Sequence, residues 1–94
     1  MFTHVVLMKV KDINDVATVA EILRSMEGEI PELKELEVGI NEIESDRNFD
    51  IVLITRFDSK EDMDIYQYSD YHQHQVLDRI RPLLEKTVAG DYSA

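Results

Sequence analysis

Apolar residues recur along this chain with two periods, and the switches between them mark out its elements. From Thr3 to Val10 the run is THVVLMKV, rich in β-branched residues. Its alternation predicts a strand with His4, Val6, Met8 and Val10 on one face and Val5, Leu7 and Lys9 on the other. Lys11 to Asp15 is polar. Asp12 or Asn14 suits a helix cap, and Asp15 suits the positive end of a helix dipole. Val16, Val19, Ala20 and Leu23 follow at helical spacing with Met26 one turn on, which predicts a helix over about 14–27. Gly28 fits a left-handed cap, and Pro31 bars continuation.

Leu33 to Glu44 returns to period two. Leu36, Val38 and Ile40 share one face, and Glu37, Gly39, Asn41 and Ile43 share the other, with Gly39 a candidate bulge or close approach. Ser45 to Asn48 supplies turn residues. Phe49 to Phe57 predicts a third strand, with Phe49, Ile51, Leu53, Thr55 and Phe57 opposite Asp50, Val52, Ile54 and Arg56. Arg56 so placed needs a carboxylate partner, and Asp50 and Glu37 are available.

Ser59-Lys60-Glu61-Asp62 resembles a capping box, opening a helix over about 60–68 that carries Met63, Ile65 and Tyr66. Ser69 or Asp70 can cap a further helix through Lys86, whose stripe is Val76, Leu77, Ile80, Leu83 and Leu84. Pro82 falls inside that stripe and predicts a kink or a lost hydrogen bond. Thr87 to Tyr92 closes the chain as a short strand. The order is β-α-β-β-α-β. It predicts one α+β domain over residues 1–94, with helices on one face of a four-stranded antiparallel sheet in a ferredoxin-like arrangement.

That arrangement buries only one sheet face, yet the first and third strands are apolar on both. No further element is left to cover the second face. A second copy packed sheet to sheet about a two-fold axis is the simplest cover, so a homodimer with a barrel-like interior is expected.

Composition narrows the function classes. The 94 residues hold 20 acidic and 10 basic side chains, a net charge of −10, with no cysteine. Such a field repels phosphate backbones and anionic membrane surfaces, so neither nucleic acid nor membrane is an expected partner. Thiolate metal sites and disulfides are excluded. No apolar run reaches the ~20 residues of a membrane span. The N-terminus reads as a strand rather than a signal peptide, which makes a cytoplasmic location the expectation. With three glycines in all, no phosphate-cradling loop or dinucleotide fingerprint is present. No cofactor is expected.

Several pieces, in order and spacing, resemble the stress-responsive A/B barrel (Dabb) family of the dimeric α+β barrel superfamily. They are His4-Val5-Val6-Leu7-Met8-Lys9, the segment Ile30 to Gly39, Phe57-Asp58-Ser59-Lys60-Glu61, the run Tyr66 to His72, Arg81-Pro82-Leu83-Leu84 and Asp91-Tyr92. The resemblance covers essentially the whole chain. It implies a ferredoxin-like protomer that dimerises into an α+β barrel. The family commonly carries a tyrosine, two variable residues and then His-Pro-x-His. Tyr66 and His72 match its tyrosine and second histidine, whereas Ser69 and Asp70 replace the first histidine and the proline. Plant members include a polyketide cyclase whose catalytic tyrosine and histidine correspond to Tyr66 and His72.

The resemblance thus proposes a pair. His72 lies over the apolar stripe, four residues before Val76, where small environmental shifts set its charge near neutral pH. In the catalytic reading it removes an acidic proton from a carbonyl compound, and Tyr66 donates a hydrogen bond to the oxygen that gains charge. In the structural reading it is a packed or loop-capping histidine. His4 is the family's other frequent histidine and a candidate ligand-binding partner of both; its plainer reading is a satisfied strand-end residue. His74, two residues from His72, falls on the opposite side of a helix and within reach of Asp78, so a His72/His74 metal site is not expected. Tyr68 and Tyr71 line a pocket mouth or the surface. The sequence leaves three functions open: a dimeric protein binding a small apolar or enolisable ligand without turnover, a proton-transfer enzyme using His72 and Tyr66, and, by fold analogy alone, a cofactor-free monooxygenase.

Overall fold

The alternating runs become strands at the expected places. In the computed structural model, which describes residues 1–94, β1 spans Phe2–Val10, β2 Glu35–Ile40, β3 Ile51–Phe57 and β4 Leu84–Ser93. They form one sheet in the order β2-β3-β1-β4, every pair antiparallel. Helix α1 spans Val16–Arg24 behind a short 3₁₀ turn at Ile13–Asp15. Helix α2 spans Lys60–Tyr68. A mixed helical stretch follows: a π-helix at Tyr71–Leu77, an α turn at Asp78–Ile80 and a 3₁₀ turn at Arg81–Leu83. This is a ferredoxin-like protomer.

Local chemistry sets the boundaries. Asp12 Oδ1 accepts from the Asn14 backbone N–H at 2.9 Å. Gly28 has φ of +79°, the left-handed geometry foreseen for the end of the first helix. Ser59 Oγ accepts from the Asp62 N–H at 3.1 Å and caps α2. Ser59→Ala is expected to lower stability by ~1 kcal/mol, read as a fall in the urea midpoint at unchanged slope.

Three expectations are corrected. The last helix ends at Leu83 rather than Lys86, and Leu84 opens β4. Pro82 sits in the first turn of the 3₁₀ segment, where its missing N–H is tolerated, and the Leu83 carbonyl is taken by the Lys11 N–H at 2.9 Å. Gly39 is neither bulged nor closely approached: β2 and β3 stay in register through it, and a Cβ there would meet nothing within 4 Å. The register shift lies instead between Lys9 and Val10, opposite β4. Arg56 pairs with Glu35 at 3.3 Å, not with Glu37 or Asp50. Glu35 is its direct cross-strand partner, Glu37 is opposite Ile54, and Asp50 accepts from the Val10 N–H at 2.8 Å. Asn41 closes the β2–β3 connection, its Nδ2 donating to the Ile43 carbonyl and its Oδ1 accepting from Asn48.

The helices cover one sheet face. Val6, Met8 and Val10 of β1 and Ile51, Leu53 and Phe57 of β3 pack against Val19, Leu23, Met26, Tyr66, Val76 and Ile80. Each such side chain contributes ~1.5–3 kcal/mol of transfer free energy. The other face carries Val5, Leu7, Val52, Ile54, Val88 and Tyr92, and this chain places no element over it. Val88 and Tyr92 are 41% and 50% exposed. The doubly apolar strands read from the sequence thus leave an open apolar face.

Candidate functional site

The helical layer does not lie flat on β4. Between the π-helix and the β1–β4 half of the sheet it leaves a cavity of about 320 Å³, lined by 15 residues of which 10 are hydrophobic. His4, Tyr66 and His72 all line it. The three residues singled out in the sequence therefore converge, from β1, the last turn of α2 and the start of the π-helix.

His72 owes its position to the break after α2. Ser69 has extended backbone and stops that helix; its hydroxyl donates to the Tyr66 carbonyl at 2.8 Å and accepts from the His72 N–H at 3.3 Å. Ser69 thus caps the turn where the family pattern has histidine. The wider π turn then places the His72 ring over the Tyr66 ring, with centroids 4.5 Å apart. His72 Nδ1 lies 3.0 Å from the Gln67 carbonyl. A carbonyl only accepts, so Nδ1 carries the proton and Nε2 keeps a lone pair. The same carbonyl accepts from Gln73 Nε2 at 2.6 Å. Burial pushes the His72 pKa below its ordinary 6.5, the Gln67 contact opposes this, and His4 and Arg81 lower it further. At neutral pH the ring is neutral and basic at Nε2.

His4 is held by a residue the sequence reading passed over. Its Nδ1 donates to the Asp91 carboxylate across the β1–β4 ladder, where the two are direct partners. Asp91 fixes the His4 tautomer as Gln67 fixes that of His72. Period two in the closing strand puts Asp91 on the face of Thr87 and Ala89, but only the register of β4 against β1 sets it opposite His4.

Tyr66 is buried, 1% exposed, with its ring against Phe57 at 4.9 Å between centroids. Its hydroxyl is directed at Met26 Sδ, 3.6 Å away. Burial raises the phenol pKa well above its ordinary value. The group stays protonated, and its O–H is donated here to a thioether, a weak acceptor. His74 is separate: it is exposed, and its Nδ1 lies 3.1 Å from Asp78. Tyr68 is 81% exposed. Tyr71 is bonded away from the cavity, donating to Ser25 at 2.9–3.0 Å.

A family model for the stress responsive A/B barrel domain matches residues 2–94. Among solved structures, a dimeric ferredoxin-like protein of unknown function from Thermobifida fusca is 25% identical, with a TM-score of 0.84 over 99% of this chain and 90% of that one. A dimeric protein of unknown function from Bacteroides fragilis is 22% identical, with a TM-score of 0.82 over 99% and 95%. A hydroxynitrile lyase from Passiflora edulis is 19% identical, with a TM-score of 0.81 over 97% and 90%. No curated protein matches the chain.

Proposed function

The chain belongs to the stress-responsive A/B barrel family, and we propose that it acts as a homodimer in which each protomer binds a small, largely apolar, enolisable molecule and His72 takes the proton. The observation that carries this reading is the paired histidine arrangement. Two rings line one apolar cavity, and each has Nδ1 committed to a protein acceptor. His72 is neutral near pH 7 and meets the first need of a general base. Tyr66 supports it as a wall, its ring tilted against that of His72. Its hydroxyl is held only by Met26 Sδ, so a ligand oxygen that reaches it would offer a stronger acceptor. The dimer is supported by the open apolar sheet face and by similar folds described as dimeric.

Proton abstraction leaves a readable mark. In D₂O the protein is expected to accelerate α-proton exchange of an apolar 1,3-diketone such as benzoylacetone, followed by NMR. His72→Ala should reduce the acceleration by ~10²-fold or more. The His72 ring should titrate below 6.5. Full exchange by His72→Ala would remove the general-base role. Binding of the diketone without exchange would favour a binding protein that does not turn its ligand over.

A further inference from the structure

The charge around the cavity is the reverse of the charge of the chain. Twenty of the 94 residues are acidic, yet none of the 15 lining residues is Asp or Glu, and the one permanently charged group among them is Arg81. Arg81 lies in the 3₁₀ turn Arg81–Leu83 that ends the helical layer, is exposed, and makes no ion pair. By contrast, Arg56 pairs with Glu35. Asp91, which meets the lining residue His4, is engaged by it. Arg81 is also close enough to His72 for its charge to lower the basicity of that ring.

Resting on the small-molecule pocket proposed above and narrowing its ligand, we propose that the cavity takes an amphipathic carboxylate. The apolar body would lie among Val6, Leu77, Leu84 and Ala89, and the carboxylate would meet the Arg81 guanidinium. The chemistry suits the lining. An apolar chamber of this size holds a medium-length alkyl or aryl body. A guanidinium presents a planar fork of donors that matches a carboxylate in bidentate geometry. An anion seated there would also offset the charge that Arg81 imposes on His72. In a strongly acidic protein a cation at an acid-free cavity selects anions against the overall field, which otherwise disfavours them.

Octanoate and 1-octanol test this with one alkyl body and two headgroups. Binding is measured at pH 7.5 by chemical-shift titration on the full chain and on Arg81→Gln and Arg81→Lys. Octanoate is expected to bind the parent chain more tightly than octanol. Arg81→Gln should weaken octanoate by about tenfold and leave octanol within about twofold, with Arg81→Lys in between. Equal binding of acid and alcohol, or equal loss of both in Arg81→Gln, overturns the charge assignment and leaves the pocket standing. Binding of neither overturns the pocket reading and the ligand class with it.

Discussion

Leu7→Glu is expected to sediment as a folded monomer at micromolar concentration, and the parent chain as the proposed dimer. Leu7 sits in the middle of the open sheet face, directly between Val52 of β3 and Val88 of β4 in the ladder register. The helices are all on the other side, packed over Val6 and Met8. A two-fold axis makes the same patch serve both partners, so one substitution enters the interface twice. Each new carboxylate would then be taken out of water at the centre of an apolar patch. At a cost of only ~2 kcal/mol per site, the dimer loses about 4 kcal/mol, or roughly a thousandfold in dissociation constant. In the separated protomer the carboxylate faces water, so the fold itself is little disturbed. Ile65→Glu is the control: Ile65 is 52% exposed on α2 and belongs to the helical side. It should leave the dimer intact. A Leu7→Glu protein that remains dimeric would show that this face is not the interface.

The sequence carried the sheet better than it carried the site. Alternation in Val5–Val10 and Ile51–Phe57 is a local signal with a fixed period, and both strands form with their residues divided between two faces as expected; which face turns inward was open in the sequence, and the helices settle it by covering Val6, Met8, Ile51 and Leu53. Helical spacing misled once, at Leu83 and Leu84. Apolar residues at i and i+1 suit a helix stripe and a strand start alike, and Pro82 decided between them. The convergence of His4, Tyr66 and His72 on one cavity had no local signature; it was proposed from family resemblance. The groups that orient these histidines were harder still. Asp91 reaches His4, 87 residues away in the chain, through the register of two strands. Gln67 reaches His72 through its backbone carbonyl, which side-chain identity does not reveal. The tyrosine hydroxyl pointing to Met26 depends on how α1 and α2 pack, a contact between residues 40 apart in the chain. Arg56 took Glu35 rather than Glu37 because the β2–β3 register places Glu35 opposite it.

Tyr66→Ala is expected to cost ~3–5 kcal/mol of stability, the range found when a large buried ring is cut back to a methyl group. Tyr66 is fully buried between two other rings, Phe57 at 4.9 Å and His72 at 4.5 Å between centroids. Its removal opens a void that neither the β3 backbone nor the π-helix can close without breaking its own hydrogen bonds. For a domain of this size total stability is ~5–15 kcal/mol, so the loss should lower the melting midpoint by something like 20 °C. Tyr66→Phe keeps the ring and gives up only a hydroxyl bonded to a thioether, so it should change stability by less than about 1 kcal/mol. The pair of variants separates packing from hydrogen bonding, provided both are measured at one protein concentration, since the proposed dimerisation would add to apparent stability. A second readout is pH. The His72 pKa is lower in the folded chain than in the unfolded chain, chiefly because burial disfavours its charged form. The unfolded state therefore binds the proton more readily, and acid favours it. This part of the stability is fully present above 6.5, the unfolded value, and is lost as pH falls through the lower folded value. Water entering the space left by Tyr66 would relieve the burial of His72 and raise its pKa towards 6.5. Tyr66→Ala should therefore show a shallower loss of stability on acidification than the parent chain, on top of its lower midpoint. An unchanged His72 titration in Tyr66→Ala would mean that the tyrosine ring is not what keeps water from the histidine.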